Sequence, residues 1–303
     1  MSIASAITAA QGRVADAYTA ISNKGGTLPA TQNLTNMPTA INSIPSGGGS
    51  DTISSYQIVS GVLNRRTNTY NLTGTEFSNA TSIDSYGLYY AFYGCTGITG
   101  SIDLSSVTSI GNYGLSYAFY GCTGITGSID LSNVTSIESY GLSYAFNYCT
   151  GITNIDLSGV TSIRNRTLYY AFHYCTGITN IDLSNVTSIE SYGLSYAFNY
   201  CTGITNIDLS DVTSIDSYGF RYAFNYCLKL QTINFNSIKT TSFNNVNVFN
   251  SMFNSTTGSE ATGGCTVHFP SNLSSTIAGL QGYPTFGGSS SYINLAFDLP
   301  ATS

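Results

Sequence analysis

Through the middle of the chain, apolar residues return in one fixed order: Ile-x-Leu, then Val-x-x-Ile, then Leu-x-x-Ala-Phe-x-x-Cys, with Ser, Thr, Asn, Tyr and Gly between them. In I-D-L the Ile and Leu share one side and the Asp takes the other, the period-2 alternation of a strand with one buried face. The copies are Ile102 to Leu104, Ile129 to Leu131, Ile155 to Leu157, Ile181 to Leu183 and Ile207 to Leu209, with Thr75 to Phe77 before and Ile233 to Phe235 after. The V-T-S-I that follows each one adds two inward residues, such as Val134 and Ile137. Leu142, Ala145, Phe146 and Cys149 then fall at steps of three, one and three, which predicts a short helical face returning over the core. Aligned copies would make an aromatic spine of Phe92, Phe119, Phe146, Phe172, Phe198 and Phe224.

The order is a repeat. Ser132 to Ser158 recurs unchanged as Ser184 to Ser210, and Cys95, Cys122, Cys149, Cys175, Cys201 and Cys227 step by 27, 27, 26, 26 and 26. A period in the mid-twenties is that of leucine-rich-repeat solenoids, whose coils stack one on the next. The predicted fold is therefore an α/β solenoid: a leucine-rich-repeat stack with a parallel β-ladder, strands about 4.8 Å apart, and short return helices.

The ends depart from the pattern. In residues 1–44, Ile3, Ile7, Ala10, Val14, Ala17 and Ile21 step by 4, 3, 4, 3 and 4, a heptad seam that predicts a separate N-terminal helix for attachment or assembly. It fits a self-associating coiled coil, trimers included, and equally an amphipathic helix docked on a partner or on its own body. Residues 45–50, PSGGGS, read as a tether. Residues 51–264 form the solenoid, with 51–74 as its N-terminal cap. Residues 265–303 form a C-terminal cap with a strand at VHF, a short helix in SNLSSTIAGLQG and a strand at YINLAFDL.

Only 8% of residues are charged, and the formal net charge is −6. That balance makes nucleic acid and anionic membrane surfaces poor partners. No apolar run reaches the length of a membrane span, and MSIASAITAAQGRVADAYTAI lacks the basic start and apolar core of a signal peptide, so export by that route is not expected. Six equivalent cysteines are not a disulfide framework; they read as a column of reduced, buried thiols. There is no phosphate loop, no H-E-x-x-H and no C-x-x-C, and only His173 and His268 supply imidazoles, so the chain reads as a non-enzyme without cofactor or metal.

Two surface columns remain. Glu76, Asp103, Asp130, Asp156, Asp182 and Asp208 are the outward strand residues and should line up. A calcium row needs six to eight oxygens per ion, which one carboxylate per coil does not provide, so they read as solvated surface charge that also discourages lateral strand pairing. Tyr86, Tyr113, Tyr140, Tyr192 and Tyr218 form a second column, interrupted by Arg166. Neighbouring positions vary among otherwise constant copies, and the fourth copy is the most unusual. Tyr140, Arg164, Arg166, Tyr169, His173, Tyr174 and Tyr192 are therefore the candidate binding residues, because rigid Tyr rings beside Asn and Ser suit glycan or protein contact. The bland alternative is a solvent-facing stack of rings with no ligand.

The motif VTSIxxYxLxYAFxxCTGIT, carried by Val107 to Thr126, Val134 to Thr153, Val160 to Thr179, Val186 to Thr205 and more loosely by Val212 to Leu230, is similar to the BspA-type leucine-rich repeat of bacterial surface proteins. The flanks, AITAAQGRVADAYTAISNKGGTLPATQNLTNMPTAINSIPSGGG, HFPSNLSSTIAGLQGYPTFGG and LAFDLPATS, resemble segments of phage and prophage tail proteins. Together the resemblances imply a phage-tail receptor-binding or adhesion protein, made in the bacterial cytoplasm and carried on the virion. Its partners would be a bacterial surface glycan or protein, other tail proteins, and copies of itself. A structural fibre subunit without receptor binding and a bacterial surface adhesin are the alternatives.

Overall fold

In the computed structural model the chain is described over residues 51–53, 80–243, 247–253, 257–280, 286 and 292–301. The predicted N-terminal helix with Ile3, Ile7, Ala10, Val14, Ala17 and Ile21, the tether, most of the N-terminal cap and the strand around Glu76 lie outside these residues. What is described is a parallel β-solenoid of about eight turns with little helix.

Each coil contributes to two ladders. In one, Thr126–Asp130, Gly151–Asp156 and Asn180–Asp182 pair in parallel, and Asn206–Asp208, Thr232–Asn234, Cys265–Pro270 and Ile293–Leu299 continue the series. Ile129 meets Ile155 and Ile155 meets Ile181, so equivalent letters become neighbours, with one register shift between Gly127 and Ser128. The Val-Thr-Ser-Ile segment, expected only as an apolar flank, makes a second parallel ladder. Its rungs include Ala80–Ile83, Ser109–Ile110 and Ser136–Ile137, then Ser162–Ile163, Ser188–Ile189 and Ser214–Ile215. Between the ladders the interior is apolar: in the fourth coil Ile155, Leu157, Val160, Ile163, Leu168, Ala171, Phe172 and Cys175 are all buried. The Phe spine is present, with successive ring centroids 5.1, 5.3, 5.7, 5.9 and 5.7 Å apart from Phe92 to Phe224.

The return segment corrects the expectation of short helices. From Glu138 to Cys149 the amides divide between two directions. Gly141, Ser143, Ala145, Asn147 and Cys149 donate to the carbonyl three residues back, whereas Tyr140, Leu142, Tyr144, Phe146 and Tyr148 donate to Asn165, Thr167, Tyr169, Ala171 and His173 of the next coil. A helix would keep every such bond within itself and leave nothing for the neighbouring coil. The device that prevents winding is a left-handed residue every fourth position: Tyr140, Tyr144 and Tyr148 have φ of 61, 57 and 63°. The same three places are held by Tyr86, Tyr90 and Gly94 in the first coil, and by Arg166, Tyr170 and Tyr174 in the fourth. The helical spacing of Leu, Ala, Phe and Cys survives because two overlapping turns put residues three and four apart on one side, as a helix does.

The thiols complete this arrangement. Each column cysteine from Cys122 to Cys227 donates S–H to the Phe carbonyl of the preceding coil, at 3.0 to 3.2 Å. In the next turn Thr257 takes the place, its hydroxyl donating to Phe224 O at 3.0 Å. All seven cysteines are free and buried. Burial pushes the Cys122 thiol up to about 12 and raises its equivalents too. The C-terminal region supplies the expected strand–helix–strand, with Ser274–Ala278 as its α-helix, and both strands join the main ladder directly.

Candidate functional site

Because every fourth return residue is left-handed, its side chain is thrown outward, and stacking turns these positions into tyrosine ladders. Side chains rarely adopt this backbone region, and each such residue carries a local cost of about 1–2 kcal/mol. The rings offset that cost by stacking. The first ladder is the expected Tyr86–Tyr113–Tyr140 column, with centroids 5.0 and 4.6 Å apart, and resumes at Tyr192–Tyr218, 5.1 Å apart. Arg166 does not interrupt it. Its guanidinium lies 4.5 Å from the Tyr192 centroid and 5.5 Å from that of Tyr140, and Nη1 donates to Tyr140 Oη at 2.8 Å. A planar cation thus replaces one ring in the stack.

The second ladder is the most regular and was missed in the sequence. Tyr90, Tyr117, Tyr144, Tyr170, Tyr196 and Tyr222 follow one another at 4.4, 4.4, 4.7, 4.2 and 4.7 Å. Its signal was the invariant Tyr of LxYAF, readable as a column once the period is known. Burial pushes the Tyr117 phenol up to about 12 and raises Tyr144, Tyr170 and Tyr196 as well, which marks this ladder as the inner one. The third ladder runs Tyr148–Tyr174–Tyr200–Tyr226 at 4.8, 4.1 and 4.0 Å. In the first two coils Gly94 and Gly121 hold its left-handed position, and Tyr93 and Tyr120, one residue earlier, stack 4.6 Å apart instead.

The remaining predicted residues divide. Arg164 forms a surface ion pair with Glu138, so its charge is already answered. His173 lies against Tyr170 and Tyr174, its Nδ1 3.3 Å from Asn147 Oδ1, and burial lowers its pKa from 6.5 to about 4. It is therefore neutral at physiological pH, with Nδ1–H donating to the Asn. Tyr169 is set across the ladders, its plane at 77, 75 and 82° to Tyr144, Tyr170 and Tyr196. Tyr89 repeats the posture in the first coil, at 84° to Tyr86 and 79° to Tyr90.

The aspartate column is tied into local structure. Asp103, Asp130, Asp156 and Asp182 each accept from the amide and hydroxyl of the Ser two residues on, at 3.0 and 2.6 to 2.7 Å, and Asp208 accepts from Ser210 N at 3.0 Å. These are Asx turns that end each strand. One oxygen per carboxylate is committed to the turn. Among the described residues no group of three or more His, Cys, Asp or Glu is placed to hold a metal ion.

The comparisons agree with this repeat architecture. A family model for the BspA type leucine rich repeat region matches in six copies, over residues 67–192 and 115–256, well over half of the 303 residues. The chain belongs to the BspA-type leucine-rich-repeat family. Solved structures similar to this BspA-type protein include a leucine-rich repeat protein from Bacteroides ovatus ATCC 8483, at 19% identity and a TM-score of 0.39, covering 74% of this chain and 56% of that one. Another is a leucine rich cell surface protein from Faecalibacterium prausnitzii A2-165, at 18% identity and a TM-score of 0.30, covering 72% of this chain and 77% of that one. This BspA-type chain therefore spans little more than half the length of the first of them. No curated protein matches the sequence.

Proposed function

We propose that the protein is a non-enzymatic recognition module whose tyrosine-laddered face binds a bacterial surface glycan or protein, and that it serves as a receptor-binding component of a phage tail. One observation carries the reading. The three ladders and the rings set beside them place exposed tyrosines on the return side of the coils, Tyr86, Tyr89, Tyr93, Tyr148 and Tyr226 among them, although the Phe spine and the aliphatic rows already fill the core. Amphipathic rings held rigid by their neighbours offer contact area at low entropic cost, in a surface with few charges to desolvate. The virion location rests on the resemblance of the flanks to tail proteins. Self-association through residues 1–44 belongs to the same proposal.

The test is binding of the purified protein to host cells and to their isolated walls, beside a Tyr148→Gly, Tyr226→Gly variant. Gly accepts the left-handed backbone at both positions, so the coils should keep their fold. Binding that drops in the variant supports the reading. Absence of binding by the unaltered protein, together with ordered multimers, would replace it with a structural fibre role.

A further inference from the structure

Four side-chain atoms are buried without a hydrogen-bond partner among the described residues: Ser195 Oγ, Asn199 Oδ1, Arg221 Nε and Asn225 Oδ1. They are not scattered. Ser195 and Arg221 hold one position of the fifth and sixth coils, Asn199 and Asn225 another, and the two positions flank the second-ladder rings Tyr196 and Tyr222. Buried polar groups left unanswered are uncommon in native proteins and call for an explanation.

The column through Ser195 reads Tyr89, Ser116, Ser143, Tyr169, Ser195, Arg221 down the stack. It runs beside the second ladder. Where it holds Tyr, the ring stands across the ladder; where it holds Ser, the small side chain is buried, as at Ser116, Ser143 and Ser195. Ser143 Oγ donates to Tyr169 O in the next coil, at 3.3 Å, but Ser195 Oγ makes no such bond. Ser195 is fully buried, and the same column holds Tyr169 one coil before it and Arg221 one coil after it, two coil spacings or about 10 Å apart.

Arg221 differs from the other two arginines of the described residues. Arg164 is paired with Glu138, and Arg166 is held between two rings with a hydrogen bond to Tyr140. Arg221 has no carboxylate partner among the described residues; its guanidinium sits 5.5 and 5.3 Å from the Tyr218 and Tyr222 centroids. A guanidinium on aromatic faces is weakly hydrated and keeps its forked donors for a carboxylate.

We propose that the stretch of this column from Tyr169 to Arg221 binds one carboxylate-bearing unit of an acidic saccharide. Arg221 takes the carboxylate, the Ser195 hydroxyl exchanges a hydrogen bond with a sugar hydroxyl, and Tyr169 offers its ring to the sugar's C–H face. Occupancy requires Arg221, the flexible member, to change rotamer and uncover the serine. The site rests on the recognition reading above and names its ligand class.

The substitutions that test it are already present in the protein. Tyr169→Ser and Arg221→Ser install the residue that other coils carry at this position, so the fold has a precedent for both. The probes are a tetrasaccharide of alternating glucuronic acid and N-acetylglucosamine, the neutral N-acetylglucosamine tetramer, and a tetraglutamate peptide, titrated by calorimetry against the full chain. The expected result is binding of the acidic tetrasaccharide at least about tenfold tighter than either other probe, lost by about tenfold in each variant while the variant stays folded at the titration temperature by circular dichroism. Equal binding of the peptide, or no binding of the acidic tetrasaccharide, would overturn it. Host-cell binding retained by the double variant would overturn this site and leave the recognition reading standing. Binding of the acidic probe without host-cell binding would do the reverse.

Discussion

Replacement of Tyr144 separates a left-handed turn from a helix by the sign of one difference. Its φ is +57°, and its ring is stacked 4.4 Å from Tyr117 and 4.7 Å from Tyr170. Tyr144→Ala and Tyr144→Gly both remove the two stacks, about 0.5–1.5 kcal/mol each beyond buried area. They differ only in the backbone. Ala must hold a conformation that costs a side chain about 1–2 kcal/mol, whereas Gly holds it freely but loses about 0.5–1 kcal/mol more chain entropy on folding. The Gly variant should therefore be the more stable of the two, by up to about 1 kcal/mol, a difference of roughly 2–4 °C in melting midpoint for a body of this size. In a right-handed return helix the order inverts, with Gly about 0.5–1 kcal/mol worse than Ala. Thermal and urea unfolding followed by circular dichroism reads the difference. An Ala variant more stable than the Gly variant would refute the tetrad of turns.

Other positions give independent tests. Arg166→Tyr should keep the stability of the parent within about 0.5 kcal/mol, because Tyr fills this place in other coils, whereas Arg166→Ala should lose about 1–2 kcal/mol of cation–π contact, read by urea midpoints. Phe146→Ala should cost about 3–5 kcal/mol, since the ring is fully buried between Phe119 and Phe172. The column thiols, with Cys122 and the later Cys265 pushed from 9.0 to about 12 by burial, stay protonated when folded. The unfolded chain ionises first, so stability is intact below pH 9 and falls as pH rises from 9 towards 12; iodoacetamide at pH 8.5 should label these thiols only after unfolding. His173 has the opposite dependence. Its folded pKa lies near 4 against 6.5 unfolded, so its contribution is present above pH 6.5 and lost as pH falls towards 4. His173→Asn, the residue that Asn147, Asn199 and Asn225 provide in other coils, should flatten the melting midpoint between pH 7 and pH 5.

Much of the solenoid was legible because repetition fixes register. Once Cys149 and Cys175 are equivalent, Ile155 and Ile181 must be neighbours, and so must Phe146 and Phe172. The return segment misled because Leu142, Ala145, Phe146 and Cys149 have the spacing of a helical face, and spacing reports which residues share a side, not which way the backbone turns. A sign of the true geometry was present in the sequence: Gly94 and Gly121 occupy a column that holds Tyr in the later coils. A position open to Gly in two copies is one where the backbone is left-handed. The turn-forming role of the aspartates was missed because the Ser two residues on was not considered as their partner. Arg164 and Arg166 looked available because a column shows what is stacked, not what is already satisfied. The unpartnered Ser195 and Arg221 were illegible for the same reason, since a missing hydrogen bond exists only in three dimensions.

Spin labels measure the stacking itself. Thr108 and Thr213 are exposed, equivalent and four coils apart, and each hydroxyl donates to the carbonyl of its counterpart one coil back. With cysteine at Thr108 and at Thr135, Thr161, Thr187 or Thr213 in turn, the native thiols being buried and protonated, electron–electron resonance distances should lengthen by about 4.8 Å for each coil, to about 19 Å across four. Distances that fail to rise step by step from Thr135 to Thr213 would contradict the ladder on which the tyrosine face and its binding site depend.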